Sequence, residues 1–149
     1  MPDSRIDTQI HIETVRYFLS EVIRDLLDRL LQHDQSKLRT PEVEAFDEFT
    51  SQLSGTTYGS PEYEECLARM QPALQHHYAN NRHHPEHYAN GIKDMTLLDL
   101  IEMLVDWRAA SLRHKDGNIL KSVNHNQTRF GYGDELKEIL LNTVTYLGY

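Results

Sequence analysis

Between residues 8 and 32 apolar side chains return at every third or fourth position, and no stretch of the chain sustains an alternation of period two. Ile12, Val15, Phe18, Leu19, Val22, Ile23, Leu26, Leu27, Leu30 and Leu31 would form one apolar stripe on a helix. Ser4 or Asp7 can cap its start. Thr40-Pro41 predicts the N-cap and first turn of a second helix carrying Val43, Phe46, Phe49 and Leu53. Ser60-Pro61-Glu62 predicts a third helix over about 61–80, bent at Pro72. Thr96 begins a fourth that runs to about Arg113, and Asp134 to Tyr146 forms the last. Residues 81–95 read as a polar connection, and 115–133, rich in Gly, Asn and Lys, as a loop. The expectation is an all-α protein: a compact bundle of five to six helices forming a single domain over residues 1–149.

The bulk numbers fit that picture. A chain of 149 residues suits one domain with one core, and 39% hydrophobic with 26% charged residues is a globular balance. No apolar run approaches the roughly 18 residues of a membrane helix, so no membrane partner is expected. Met-Pro-Asp-Ser-Arg at the N-terminus lacks the apolar region of a secretory signal. Cys66 is the sole cysteine, so there is no internal disulfide framework and a cytoplasmic home is expected. The formal net charge of −8 disfavours duplex nucleic acid, whose binding depends on neutralising phosphates with Lys and Arg. Two divalent cations would offset about half of that charge.

Three local patterns carry chemistry. His33-Asp34, followed by Lys37, places an imidazole and a carboxylate side by side at a helix end, with a cation to meet a phosphate. Five of the nine histidines lie between His76 and His87. Within that run His77 and His84 are seven apart, and His83 and His87 four apart, although Pro85 argues against a continuous helix there. Asp99, Glu102 and Asp106 share one side of an otherwise apolar helix, where a buried carboxylate is costly unless paired or bound to metal. Plain alternatives exist for each: a solvated helix end, a polar loop, and a solvent stripe paired to Arg108 or Arg113. A fourth stretch, Lys115 to Arg129, is basic and amide-rich and suits a phosphate with a sugar or base, though a solvated loop explains it equally.

Taken in order, His, His-Asp, His, His and Asp along an all-helical chain resemble the HD-domain superfamily of metal-dependent phosphohydrolases. His33-Asp34-Gln35-Ser36-Lys37 looks like that superfamily's His-Asp-x-x-Lys segment, and Asp106, ahead of Ala109-Ala110, resembles its final aspartate. A narrower pattern, His33-Asp34-x-Ser36-Lys37, His77-x-x-x-Asn81-x-His83-His84-Pro85 and Asp106-Trp107 with Ala110, resembles an uncharacterised family of small phage and bacterial proteins. The resemblance implies an HD-like fold with His33, Asp34 and Asp106 as metal ligands and His11 as an upstream one. In a two-metal version His77 and one of His83 or His84 would be added. The cofactor is then one or two divalent ions drawn from Mn, Fe, Co, Ni, Zn or Mg.

His11 and His33 lie 33 − 11 = 22 residues apart, about 33 Å along one straight helix. They share a metal only if the chain folds back near Ser20 to Arg24. The implied activity is metal-dependent hydrolysis of a nucleotide or other small phosphoester. Lys37 would face the phosphate, His83 would serve as a proton donor, and Asn81, Arg113, Lys121 and Arg129 would hold the substrate. The competing expectations are a di-iron oxygenase of the same superfamily and a non-enzymatic helical binding module, either of them compatible with a homo-oligomer.

Overall fold

The computed structural model describes residues 4–57, 59–114 and 117–149, with Ser54 described through its backbone alone. Lys115, counted above with the basic segment, lies outside the described residues. Those residues form seven α-helices and no β-strand, so the chain is all-α as its periodicity predicts.

The chain divides by its contacts into two compact units, Met1–His33 and Asp34–Tyr149. The first unit is one helix, α1, over Arg5–Gln32. It runs without a break through Ser20 to Arg24, so the fold-back that would bring His11 to His33 is absent. No Gly or Pro interrupts that stretch, and Glu13 with Arg16 and Asp25 with Arg29 pair along the helix surface at 2.6 and 2.5 Å. His33 follows as its C-terminal cap, the backbone N–H bonded to the Arg29 carbonyl.

The second unit starts with Asp34, whose φ of 56° and ψ of 13° place it in the left-handed region. A 3-10 turn follows at Gln35–Leu38, and then α2 over Glu42–Ser54. Pro41, not Thr40, holds the N-cap position of α2; the Thr40 hydroxyl instead donates to Glu44 Oε1 at 2.6 Å. Ser60 caps α3 (Pro61–Arg69) by accepting from the Tyr63 N–H. The helix expected over 61–80 is two: α3 stops at Met70 and α4 runs over Gln71–Asn80, because Pro72 belongs in a first helical turn, where it has no N–H to satisfy. After 3-10 turns at Pro85–His87 and Gly91–Asp94, Thr96 opens α5 (Leu97–Ser111) with a full capping box to Asp99.

The largest departure is α6, Ile119–Phe130, in a segment expected to be a loop. Its polar surface hides a helical core stripe of Ile119, Val123, Asn126 and Phe130. Both ends are capped, by the Asn118 side chain and by Gly131 at φ 66°. Helix α7 spans Asp134–Leu147.

Two apolar clusters hold this unit. Leu104, Ile119, Val123, Tyr132, Leu140 and Val144 join α5, α6 and α7. Phe49, Cys66, Met70 and Leu74 join α2, α3 and α4. Full burial of such side chains contributes about 1.5–3 kcal/mol each. The first turn of α2, the end of α4 and the middle of α5 supply the polar residues described next.

Candidate metal centre

Helix α4 ends at Asn80, and the chain then turns back on itself. That turn, closed by Pro85, lays His83 and His84 over His77, so the seven-residue spacing is met by a reversal and not by a continuing helix. The ring centroids of His77 and His84 are 4.8 Å apart and those of His83 and His84 4.1 Å. His77 Nε2 lies 2.9 Å from His84 Nε2 and 3.3 Å from Asp34 Oδ1. His83 Nε2 lies 3.5 Å from the same carboxylate oxygen. One potential ligand atom from each of Asp34, His77, His83 and His84 falls within 4.8 Å of the others, and Asp34, His83 and Asp106 satisfy the same condition.

Buried carboxylates set the orientation of two of these rings. Glu42, fully buried at the start of α2, accepts from His76 Nδ1 at 2.7 Å, from His77 Nδ1 at 2.8 Å and from the Ser36 hydroxyl at 3.0 Å. Glu102 on α5 faces His83 Nδ1 at 3.1 Å. With Nδ1 of His77 and of His83 donating to these carboxylate oxygens, each Nε2 presents its lone pair inwards. This carboxylate–histidine arrangement fixes the tautomer of metal-binding imidazoles. Asn81 completes the frame, its amide donating to Ser36 Oγ and to the His77 carbonyl, both at 2.8 Å.

Desolvation, together with the neighbouring His83 and His77, pushes the His84 imidazole down to about 2, so it is neutral near pH 7, as a ligand must be. Lys37 Nζ donates to Asp34 Oδ2 at 2.5 Å and leaves Oδ1 turned towards the histidines. Asp34 Oδ1 and His83 Nε2 are buried atoms that make no hydrogen bond; each residue is engaged through its other polar atom. A divalent ion with ligands at about 2.0–2.2 Å spreads them up to about 4.4 Å apart, and the separations of 2.9, 3.3 and 3.5 Å that link His84, His77, Asp34 and His83 lie within that span. The donor set, three imidazoles with one or two carboxylates, therefore fits a cation of the borderline N/O type.

The expected site residues divide accordingly. Asp34, His77, His83, His84 and Asp106 come together, with Lys37 and Asn81 against them. Both His83 and His84 belong to the cluster, where the sequence offered one or the other. His83, 1% exposed with Nδ1 turned to Glu102, is closed off from solvent. His11, in the unbroken α1, is about 33 Å along the helix from His33. The two cannot share an ion within one chain, which removes His11 from the ligand set. Arg129 pairs with Glu86 at 2.7 Å and lies along a different groove, and Arg113 is exposed in the turn after α5. Lys121 lines a cavity between α5 and α6. Glu42 is the participant sequence reasoning missed: it lies 35 positions from His77, and a glutamate behind Pro41 carries no local mark of burial.

Fold and donors together define an all-helical protein with His/Asp groups able to hold a metal ion. The model of a family described as "Family of unknown function (DUF5662)" matches residues 3–146, and the chain belongs to that family. No curated protein and no solved structure matches it.

Proposed function

We propose that the protein is a metal-dependent phosphohydrolase acting on a nucleotide or other small phosphoester, with an HD-like arrangement of its ligands. The observation that carries the reading is the convergence of Asp34 Oδ1 with the Nε2 atoms of His77, His83 and His84, backed by carboxylates on the far side of two of the rings. Asp34, His77, His83 and His84 would hold one divalent cation; since His83 has a single inward nitrogen, the trio Asp34, His83 and Asp106 is an alternative set of donors to that ion and not a second site. Such a cation lowers the pKa of bound water and polarises a phosphoryl oxygen.

The chain's own groups do the rest. Glu42 and Glu102 keep the imidazoles aimed and raise their basicity. Lys37, a quarter exposed and 5.1 Å from the Phe46 ring centroid, is the cation placed to meet a phosphoryl oxygen beside Asp34. His76, with 41% of its side chain exposed, is the imidazole of the group open to solvent.

The test is metal analysis of protein purified without a histidine tag, followed by a metal-supplemented hydrolysis screen over mono-, di- and triphosphate nucleotides. The expected result is stoichiometric binding of a divalent ion and phosphate release that Asp34→Asn abolishes. Equal activity in the wild type and that variant, or no metal uptake at all, overturns the proposal.

A further inference from the structure

A cavity of about 260 Å³ opens between the C-terminal end of α5 and the N-terminal half of α6, closed on its remaining side by the start of α3. It shares no residue with the metal cluster. Ala110 on its wall is one helical turn beyond Asp106 on the same face of α5, so the two sites are neighbours along that helix. Just below the usual span of ligand cavities (roughly 300–1,000 Å³), it suits a small molecule and not a polymer.

Its lining is unusual for a protein of net charge −8. Lys121, His114 and His125 all reach it, and among its described lining residues there is no carboxylate. Asn118 and the first turn of α6, the positive end of a 12-residue helix, lie on the same wall. Buried Asn126 adds an amide, and Trp107 and Tyr63 add aromatic surface. Trp107 is stacked on Phe130 with 7° between the ring planes, which holds it rigid. The walls are also held in register by backbone. A Cβ on Gly117 would lie 1.7 Å from the Ser111 carbonyl oxygen, and one on Gly59 3.3 Å from the His125 ring.

We propose that this cavity binds a small organic phosphate that carries a flat ring, its phosphate against Lys121 and the two imidazoles and its ring against Trp107 and Tyr63. The Lys121 ammonium and two imidazoles, with no carboxylate among the described lining residues, offer several donors to the oxygens of a phosphate, and the amides of Asn118 and Asn126 suit the polar edge of a ring. The proposal stands on the cavity's own lining and does not rest on the phosphohydrolase reading.

The experiment is calorimetric titration of the full chain, stripped of metal with chelator, using a nucleoside monophosphate as the probe. The matching nucleoside, inorganic phosphate and an aromatic carboxylate are the comparison arms. Expected is saturable binding of the monophosphate, at least tenfold weaker for each comparison ligand and at least tenfold weaker in Lys121→Gln, with Asp34→Asn unchanged. His125→Asn, on the exposed rim, serves as the second variant and is expected to weaken binding as well. Equal affinity for the nucleoside, an unaffected Lys121→Gln, or loss of binding in Asp34→Asn each overturns the proposal, the last by placing the phosphate on the metal ligands. Binding that persists in a protein without hydrolytic activity leaves the cavity assigned and removes only the hydrolase reading.

Discussion

At the residue scale the metal cluster depends on Asp34, and its backbone decides how that can be tested. A non-glycine residue at φ 56° costs about 1–2 kcal/mol unless its side chain tolerates the left-handed region, as Asp and Asn do. Asp34→Asn should therefore unfold at close to the wild-type urea midpoint in chelator while losing metal affinity. Asp34→Ala should lose the same affinity and about 1–2 kcal/mol of stability besides, and equal stabilities for the two would refute the backbone argument. Glu42 is the complementary case. Glu42→Gln keeps the shape but replaces one of two accepting oxygens with an N–H donor, so the Nδ1–H groups of His76 and His77 can no longer both be accepted and the tautomer of His77 is no longer fixed. A 10–100-fold loss of metal affinity is expected, read by competition with a chelating dye, with Ser36→Ala much milder. The contrast between these residues shows what the sequence holds. The convergence of Asp34, His77, His83, His84 and Asp106 was legible because candidate metal donors are drawn from few residue types and stood in a recognisable order. Glu42 was not, since a supporting carboxylate is defined by where the fold buries it.

The elements divide the same way. Ser60 and Thr96 were readable as caps because a cap is a local hydrogen bond, whereas α6 was hidden by its amides and by the glycines flanking it. Those glycines do different work. Gly131 is the left-handed residue after α6, with open space around its Cβ position, so Gly131→Ala should cost about 1 kcal/mol. Gly117 has the Ser111 carbonyl where a Cβ would go, so Gly117→Ala must move backbone. It should cost more than 2 kcal/mol in urea unfolding, and a smaller cost than that of Gly131→Ala would contradict the packing. At the start of α5, burial pushes the Asp99 carboxyl up, but hydrogen bonds from the Thr96 backbone and hydroxyl, Arg82 and Tyr88 outweigh it and hold the group well below its ordinary value of 3.8. The carboxylate is thus ionised in the fold at pH values where the unfolded chain would take up a proton. Its contribution is complete above about pH 4 and lost as pH falls further. Asp99→Asn should be less stable than wild type at pH 7, with a flatter decline below pH 4 in a urea series.

For the molecule as a whole, periodicity alone was enough for the all-α class, because no alternative pattern competed with it. The apolar stripe of α1 marks a helix but does not say which contacts that helix makes, so the boundary between units at His33 carries no sequence signal of its own. Net charge supplies the remaining argument. Of the acidic residues that make the chain −8, Asp34, Glu42, Glu102 and Asp106 stand in or behind the proposed metal ligands, where their charges are held close together at low exposure. A divalent cation binding there satisfies the facing donors and relieves that repulsion in the native state alone, so it must raise stability by mass action. At a hundredfold excess over the dissociation constant the gain is about 2.7 kcal/mol, which for a chain of this size is a rise of roughly 5–11 °C in Tm. Calorimetric scans with Mn, Co or Zn added to chelator-treated protein should show that rise in the wild type and in Lys121→Gln. It should be absent in Asp34→Asn, and sodium chloride at matched ionic strength should not reproduce it. A rise shared by all three proteins would mean that the cations act by general screening of the acidic surface, and the donors around Asp34 would then be a hydrogen-bonded core and not a metal centre.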